Sequence, residues 1–328
     1  MISRRTTLKG LAAGALAAAA GPTRAQTPAP DDRSTIQVFV GAASSMDFTA
    51  RAIAETLRES TGRTAIAVAR LGAGQRLALG EVRRAPPDGR NIVFATSGPF
   101  AIYPHIYSKL EYDPEADFTP IMGISKFDVA IATGPMTGVT DLRDLIAWTR
   151  RNPNGAIYGS APGNGSFSHF VGIATSSATG AKLEHVPYKD SAVGIVDLAG
   201  GRIPILITGM SALVASHQTG KVRVLAVSGP TRSPLLPDVP TLRESGINVS
   251  SSTTTGVFGP AKLPADVVER LATAIRPLFN NRGVVSKLEQ QGVVMAPASA
   301  AEFAATIREE RAYFGKLAKE SGYVPEQA

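Results

Sequence analysis

Short apolar runs alternate with amphipathic stretches along almost the whole chain, and most of the runs end on glycine, serine or threonine. Segments 36–40, 66–68, 92–95, 129–132, 157–159, 184–187, 205–207, 224–227 and 255–258 have the length and composition of buried strands. Segments 47–61, 75–84, 142–151, 167–179, 211–219 and 264–278 have helical periodicity, and two more helices are expected at 282–291 and 299–321. Such alternation predicts an α/β architecture with mainly parallel sheets, because right-handed crossovers lay each helix on a sheet face. Ligands then bind at the carboxyl ends of the strands, where loops lead into helix N-termini.

The chain has 328 residues, enough for two domains of ordinary size. At 44% hydrophobic and 19% charged residues it is globular rather than disordered. The absence of cysteine excludes disulfides, thiolate metal sites and a thiol nucleophile. Residues 1–25 carry Arg4, Arg5, Lys9, Arg24 and no acid, followed by an Ala-rich apolar run and a small-residue cleavage site, the pattern of an export leader. SRRTTLK (3–9) is close to the twin-arginine pattern, with Thr7 where a larger apolar residue is usual; an ordinary secretory leader with two arginines is the alternative. Residues 26–33 read as a flexible tether. Removing the leader's four cations lowers the formal charge from +7 to +3, with no basic run among aromatics, so nucleic acid is not an expected partner. No later segment reads as membrane-spanning, and a periplasmic mature protein is expected.

The segment YGSAPGNGSFSHF (158–170) fits two chemistries, a nucleophile loop or a cradle of backbone amides. The four histidines lack metal-ligand spacing, GAGQRL (72–77) fails the dinucleotide fingerprint at Leu77, no glycine run ends in GK[ST], and G-x-S-x-G is absent. No metal and no cofactor are expected. Ser166 or Ser168 with His169 as base would need an orienting carboxylate, and none is near in sequence. His169 itself fits either a packed helix residue or a ligand contact. The cradle reading rests on the first N–H groups of the next helix, which lack intrahelical partners and attract carboxylate or phosphate. Four similar junctions occur at VGAASSMD (40–47), TSGP (96–99), YKDS (188–191) and TGMS (208–211). One alone would be plain capping; five at one sheet edge predict a shared anion cleft, held by peptide dipoles rather than a fixed cation.

Four ordered blocks, 83–121, 157–170, 185–203 and 220–246, resemble the tripartite tricarboxylate transporter substrate receptors, also called Bug receptors. The resemblance implies a type II-like periplasmic binding fold of two α/β lobes, with lobe 1 formed by 34–127 and 253–328 and lobe 2 by 128–252. On matching positions it implies ligand contacts from Ser160, Asn164, Gly165, Ser166 and His169, from Tyr188 and Ser191, and from Thr96 and Ser97. Asp47 matches the acid after the first loop and is expected to cap a helix. Departures from the family pattern add Ser44 and Ser45 in the first loop, Asp190 where glycine is usual, and Thr208 and Met210 in place of a Phe-Asp-Asn run. Asp190 would repel a second anion, so either it faces solvent or the ligand carries a cationic or hydroxyl group there.

The function expected is a non-enzymatic, monomeric receptor for a small organic acid, delivering it to membrane permease subunits. Presentation of the ligand to a sensor is the alternative, and a serine hydrolase using Ser166 or Ser168 the remote one.

Overall fold

In the computed structural model, residues 34–42, 45–320 and 323–327 are described; the expected export leader, the expected tether and Ser44 lie outside them. The strands are β1 (Ile36–Val40), β2 (Ala65–Ala69), β3 (Asn91–Thr96), β4 (Tyr107–Lys109), β5 (Phe118–Phe127), β6 (Val129–Thr133), β7 (Ile157–Ala161), β8 (Glu184–Pro187), β9 (Ile205–Gly209), β10 (Arg223–Val227), β11 (Thr253–Pro260), β12 (Val293–Ala298) and β13 (Glu326–Gln327). The helices are α1 (Ser45–Thr61), α2 (Arg76–Arg83), α3 (Gly98–Ala101), α4 (Tyr103–Ile106), α5 (Leu142–Arg151), α6 (Phe167–Thr179), α7 (Ser191–Ala199), α8 (Met210–Gln218), α9 (Ala265–Ile275), α10 (Arg282–Glu289) and α11 (Ala300–Glu320).

Six strands form one sheet in the order β12-β5-β11-β3-β1-β2, and five form a second in the order β10-β6-β9-β7-β8. Helices cover both faces of each, so the central strands are apolar throughout; all five residues of β6 are buried. The two-lobed α/β expectation is met, but the sheets are mixed rather than mainly parallel. Strands joined by helical crossovers are parallel: β1 with β2 and β3, and β7 with β8 and β9. The strands that carry the chain between the sheets run the other way. β11 is antiparallel to β3 and β5, and β6 is antiparallel to β9 and β10. Neither β5 nor β12 is legible as a strand in the sequence, since Pro120 and Pro297 interrupt their apolar runs.

The two crossings touch. β5 passes into β6 through Asp128, and the return passes from β10 through Ser228 to β11. The Ser228 N–H donates to Val129 O (2.9 Å), the Val129 N–H to Ser228 Oγ (3.2 Å), and Ser252 Oγ to Asp128 Oδ1 (2.5 Å). Burial pushes the Asp128 carboxyl above its usual range, against the Ser252 hydrogen bond.

Helix α11 joins both halves from outside the crossings. It has 21 residues and so spans about 30 Å. Phe303 and Ile307 pack with Phe100 and Phe258 beside the six-stranded sheet. Phe314 and Leu317 pack with Phe170 and Val171 of α6, which flanks the five-stranded sheet, and with Tyr103 and Ile106. The Phe314 ring meets Phe167 and Phe170 edge-on, at 5.9 and 5.6 Å between centroids. Phe314→Ala is expected to lower stability by about 3–5 kcal/mol, read by urea denaturation; a loss under about 1 kcal/mol would mean that α11 does not hold the halves together.

Candidate functional site

All five glycine- and hydroxyl-rich junctions put residues on the wall of one cavity of about 610 Å³. Gly41 and Ala42 come from the first, Thr96–Pro99 from the second, Ala161–Ser168 from the third, Lys189 and Ser191 from the fourth and Gly209 from the fifth. Both sheets therefore contribute, and the strand-to-helix rule brings the junctions together at the strands' carboxyl ends.

The junction before α6 is the most elaborate. Ser166 caps the helix, its Oγ accepting the His169 N–H (3.1 Å). The N–H groups of Phe167 and Ser168 head the helix and stand at its positive end. The preceding turn needs glycine at 165: its φ is 69°, and a Cβ there would lie 2.0 Å from Ile106 Cδ1. The Gly165 N–H donates to His169 Nδ1 (3.1 Å), so that imidazole is neutral at Nδ1. Burial, and then the stacked ring of His185 at 3.8 Å, push the His169 pKa down to about 3. His185 contacts Ser160 Oγ at 2.7 Å. The pair of histidines thus braces the turn from behind. Ser168 Oγ donates to Ala161 O (3.1 Å), Ser166 Oγ accepts a backbone N–H and His169 Nδ1 accepts the Gly165 N–H, so these bonds do not join either serine side chain to the His169 imidazole.

Of the candidate residues, Thr96, Ser97, Asn164, Gly165, Ser166 and Ser191 line the cavity. Ser160, His169, Thr208 and Met210 are buried behind it, at 0%, 4%, 0% and 2% exposure. Thr208 Oγ1 donates to Ala161 O (3.0 Å) and meets Ser191 Oγ at 2.6 Å, joining two junctions rather than facing the cleft. Tyr188 is buried too, its hydroxyl donating to Asp197 Oδ2 (3.0 Å). Asp190 is exposed and caps α7, accepting the Val193 N–H (3.0 Å), so the solvent-facing alternative describes it. Ser45 opens α1 and is off the wall. Asp47, expected as a cap, sits inside the first turn of α1 and pairs with Arg51 at 2.8 Å, because the helix starts two residues earlier.

The sequence reading missed the loop before α2. Gly72, Ala73, Gly74 and Gln75 all have positive φ, including 45° at Ala73 and 74° at Gln75, where side chains disfavour it. Gln75 is pinned to β3 by two hydrogen bonds: Nε2 donates to Thr96 Oγ1 (2.7 Å), and Oε1 accepts the Thr96 N–H (3.1 Å). Tyr103 donates to Gly74 O (3.0 Å). The loop sets Arg76 on the cavity wall, its guanidinium 4.7 Å from the centre of the Tyr107 ring. Lys189 lines the opposite lobe. The cleft therefore holds two cations, and the expectation of dipoles without a fixed cation is corrected. One signal was present in the sequence: a cation at the first position of a helix opposes the helix dipole.

Glu310 of α11 was also missed, since it lies far along the chain from every junction. It lines the cavity, accepting the Thr254 hydroxyl at 2.6 Å through Oε1, while Oε2 has no partner among the described residues. Burial pushes its carboxyl above the usual range, with hydrogen bonds from Ser97 and Thr254 pulling the other way.

The model of the tripartite tricarboxylate transporter family receptor matches residues 49–323. The chain belongs to this family. It is 30% identical to a UPF0065 protein of Bordetella bronchiseptica over 288 residues, 88% of this chain and 85% of the relative. Among solved structures it is similar to R. palustris Rpa4515 with adipate (TM-score 0.80, 28% identity, 89% of this chain and 99% of that one). It is likewise similar to the periplasmic binding protein BugD (TM-score 0.77, 25% identity, 89% and 99%).

A carboxyl whose pKa is raised on folding binds more protons in the native than in the unfolded state, so it costs stability as pH rises from the unfolded value through the folded one. Glu310→Gln is expected to stabilise the chain at neutral pH, with the gain shrinking toward about pH 4. Urea midpoints of both proteins across that range check this; a difference independent of pH would contradict it.

Proposed function

We propose that this chain is a receptor that captures a small carboxylate-containing solute between its two lobes and hands it to the membrane subunits of a tripartite tricarboxylate-type transporter. The carrying observation is the convergence of five strand-to-helix junctions from both sheets on one cavity, with the Ser166-capped start of α6 among them. A ligand there meets helix-start amides, hydroxyls and cations at once, the chemistry that holds a carboxylate. The adipate bound by the R. palustris relative supports an organic acid as the ligand class. Contacts are assigned to Thr96, Ser97, Asn164, Gly165, Ser166 and Ser191.

The function is binding and release, without catalysis. Lobe 1 is taken as 34–127 with 253–328 and lobe 2 as 128–252. Export to the periplasm follows from the leader, and the bound and free chain is taken as a monomer. Among the described residues no helix is long and apolar enough to cross a membrane, in keeping with transient docking on separate permease subunits.

Ser166→Phe fills the cradle with an aromatic ring and removes the cap, at a stability cost of about 0.5–2 kcal/mol. Binding of the acid that copurifies with the native chain, identified by mass spectrometry, is expected to disappear from calorimetry. The native protein at a hundred times the dissociation constant is expected to gain about 2.7 kcal/mol in stability, and the folded variant none. Undiminished uptake by the variant would overturn the assignment.

A further inference from the structure

We propose that Arg76 is the specificity-determining residue of this cleft, taking an acidic group of the ligand other than the carboxylate held at the start of α6. This rests on the reading of the cleft as a carboxylate site.

The guanidinium is positioned without being neutralised. Its Nε donates to Ala73 O (3.0 Å), and its guanidinium carbon lies over the Tyr107 ring, 4.7 Å from the centroid. Among the described residues no carboxylate pairs with it, although twelve other ion pairs form. Glu310, the acid on the same wall, is bonded to Thr254 instead. With Nε occupied, the two terminal nitrogens remain, and their fork matches a carboxylate.

The backbone is arranged for this placement. Ala73 and Gln75, on either side of Gly74, hold left-handed conformations that only strong local restraint maintains. The restraint comes from Thr96 and Tyr103, both on the cavity wall. The same turn presents Ala73 O, the acceptor that orients Arg76. Strain, restraint and cation belong to one loop from the six-stranded side, whereas the Ser166 cradle comes from the five-stranded side. A diacid would bridge the two, and that bridge draws the lobes together in a way that a monoacid of equal length does not.

Calorimetry with matched pairs separates the two groups: adipate against hexanoate, succinate against butyrate, suberate against octanoate. The native chain is expected to bind at least one diacid more tightly than its monoacid. In Arg76→Gln that preference falls roughly 10- to 100-fold, while affinity for the monoacid stays within about 2-fold. Arg76→Lys, a point charge without the fork, is expected to recover part of it. Equal weakening of diacid and monoacid in Arg76→Gln, or equal affinity of the native chain for both, would overturn the inference and leave the carboxylate reading standing. Failure of the native chain to bind any of these acids, or the acid that copurifies with it, would remove both.

Discussion

A single backbone N–H, that of Gly165, is directed into the neutral imidazole of His169, and the cradle in front of α6 depends on it. The turn is tight, left-handed at Gly165, and pressed against Ile106 of α4. Without an acceptor behind it, the buried amide would carry an unpaired donor, costing about 1–3 kcal/mol. The imidazole accepts that bond only while Nδ1 is unprotonated. Burial and the stacked His185 keep it so, with a pKa pushed down to about 3, well below neutrality. His169, which reads in the sequence as a packed residue or a ligand contact, is therefore, with the stacked His185, the rigid backing of the turn before α6.

On the proposed receptor reading, that backing divides the recognition chemistry of the cleft. On the five-stranded side, charge would be met by oriented amides and a capping serine, with Lys189 also lining the cavity. On the six-stranded side, it would be met by Arg76, fixed by its own loop and by Tyr107. Glu310 lies on the same wall, half-satisfied and with a raised pKa. An anion entering the cleft disfavours the charged form of that carboxyl further, so capture of an acid and protonation of Glu310 favour each other. Cations, dipoles and a soft acid together keep the cleft from holding one uncompensated sign of charge.

The sequence revealed most of the fold because crossover strands and amphipathic helices carry period and length. Nine of the strands, α5 and α6, and the Gly180 stop of α6 follow from those patterns alone. β5 and β12 did not, because proline and glycine break runs whose partners are supplied by the other crossing. The site was legible as a set of junctions but not as a set of side chains. Thr208, Ser160 and Tyr188 share the composition of lining residues, yet their hydroxyls are spent on Ala161, His185 and Asp197. Arg76 and Glu310 reach the cavity through a strained loop and a distant helix, and neither position has a local signature strong enough to outweigh its ordinary surroundings.

On the proposed receptor reading, any opening of the cleft has to respect the apolar contact made by α4, α6 and α11. Ile106, Phe170 and Phe314 are at most 3% exposed, and they meet in one cluster drawn from both halves. Exposing three such side chains costs roughly 5–9 kcal/mol, comparable to the whole stability of many domains. No differential affinity of a small acid for the closed form needs to offset that, provided the cluster stays shut. The motion compatible with this is a rotation that keeps the α11 contact and the Asp128–Ser252 crossing together while the walls carrying Arg76 and Ser166 separate. Such a pivot places the largest displacement at the cavity mouth, where two acidic ends of one ligand would have the greatest leverage on closure.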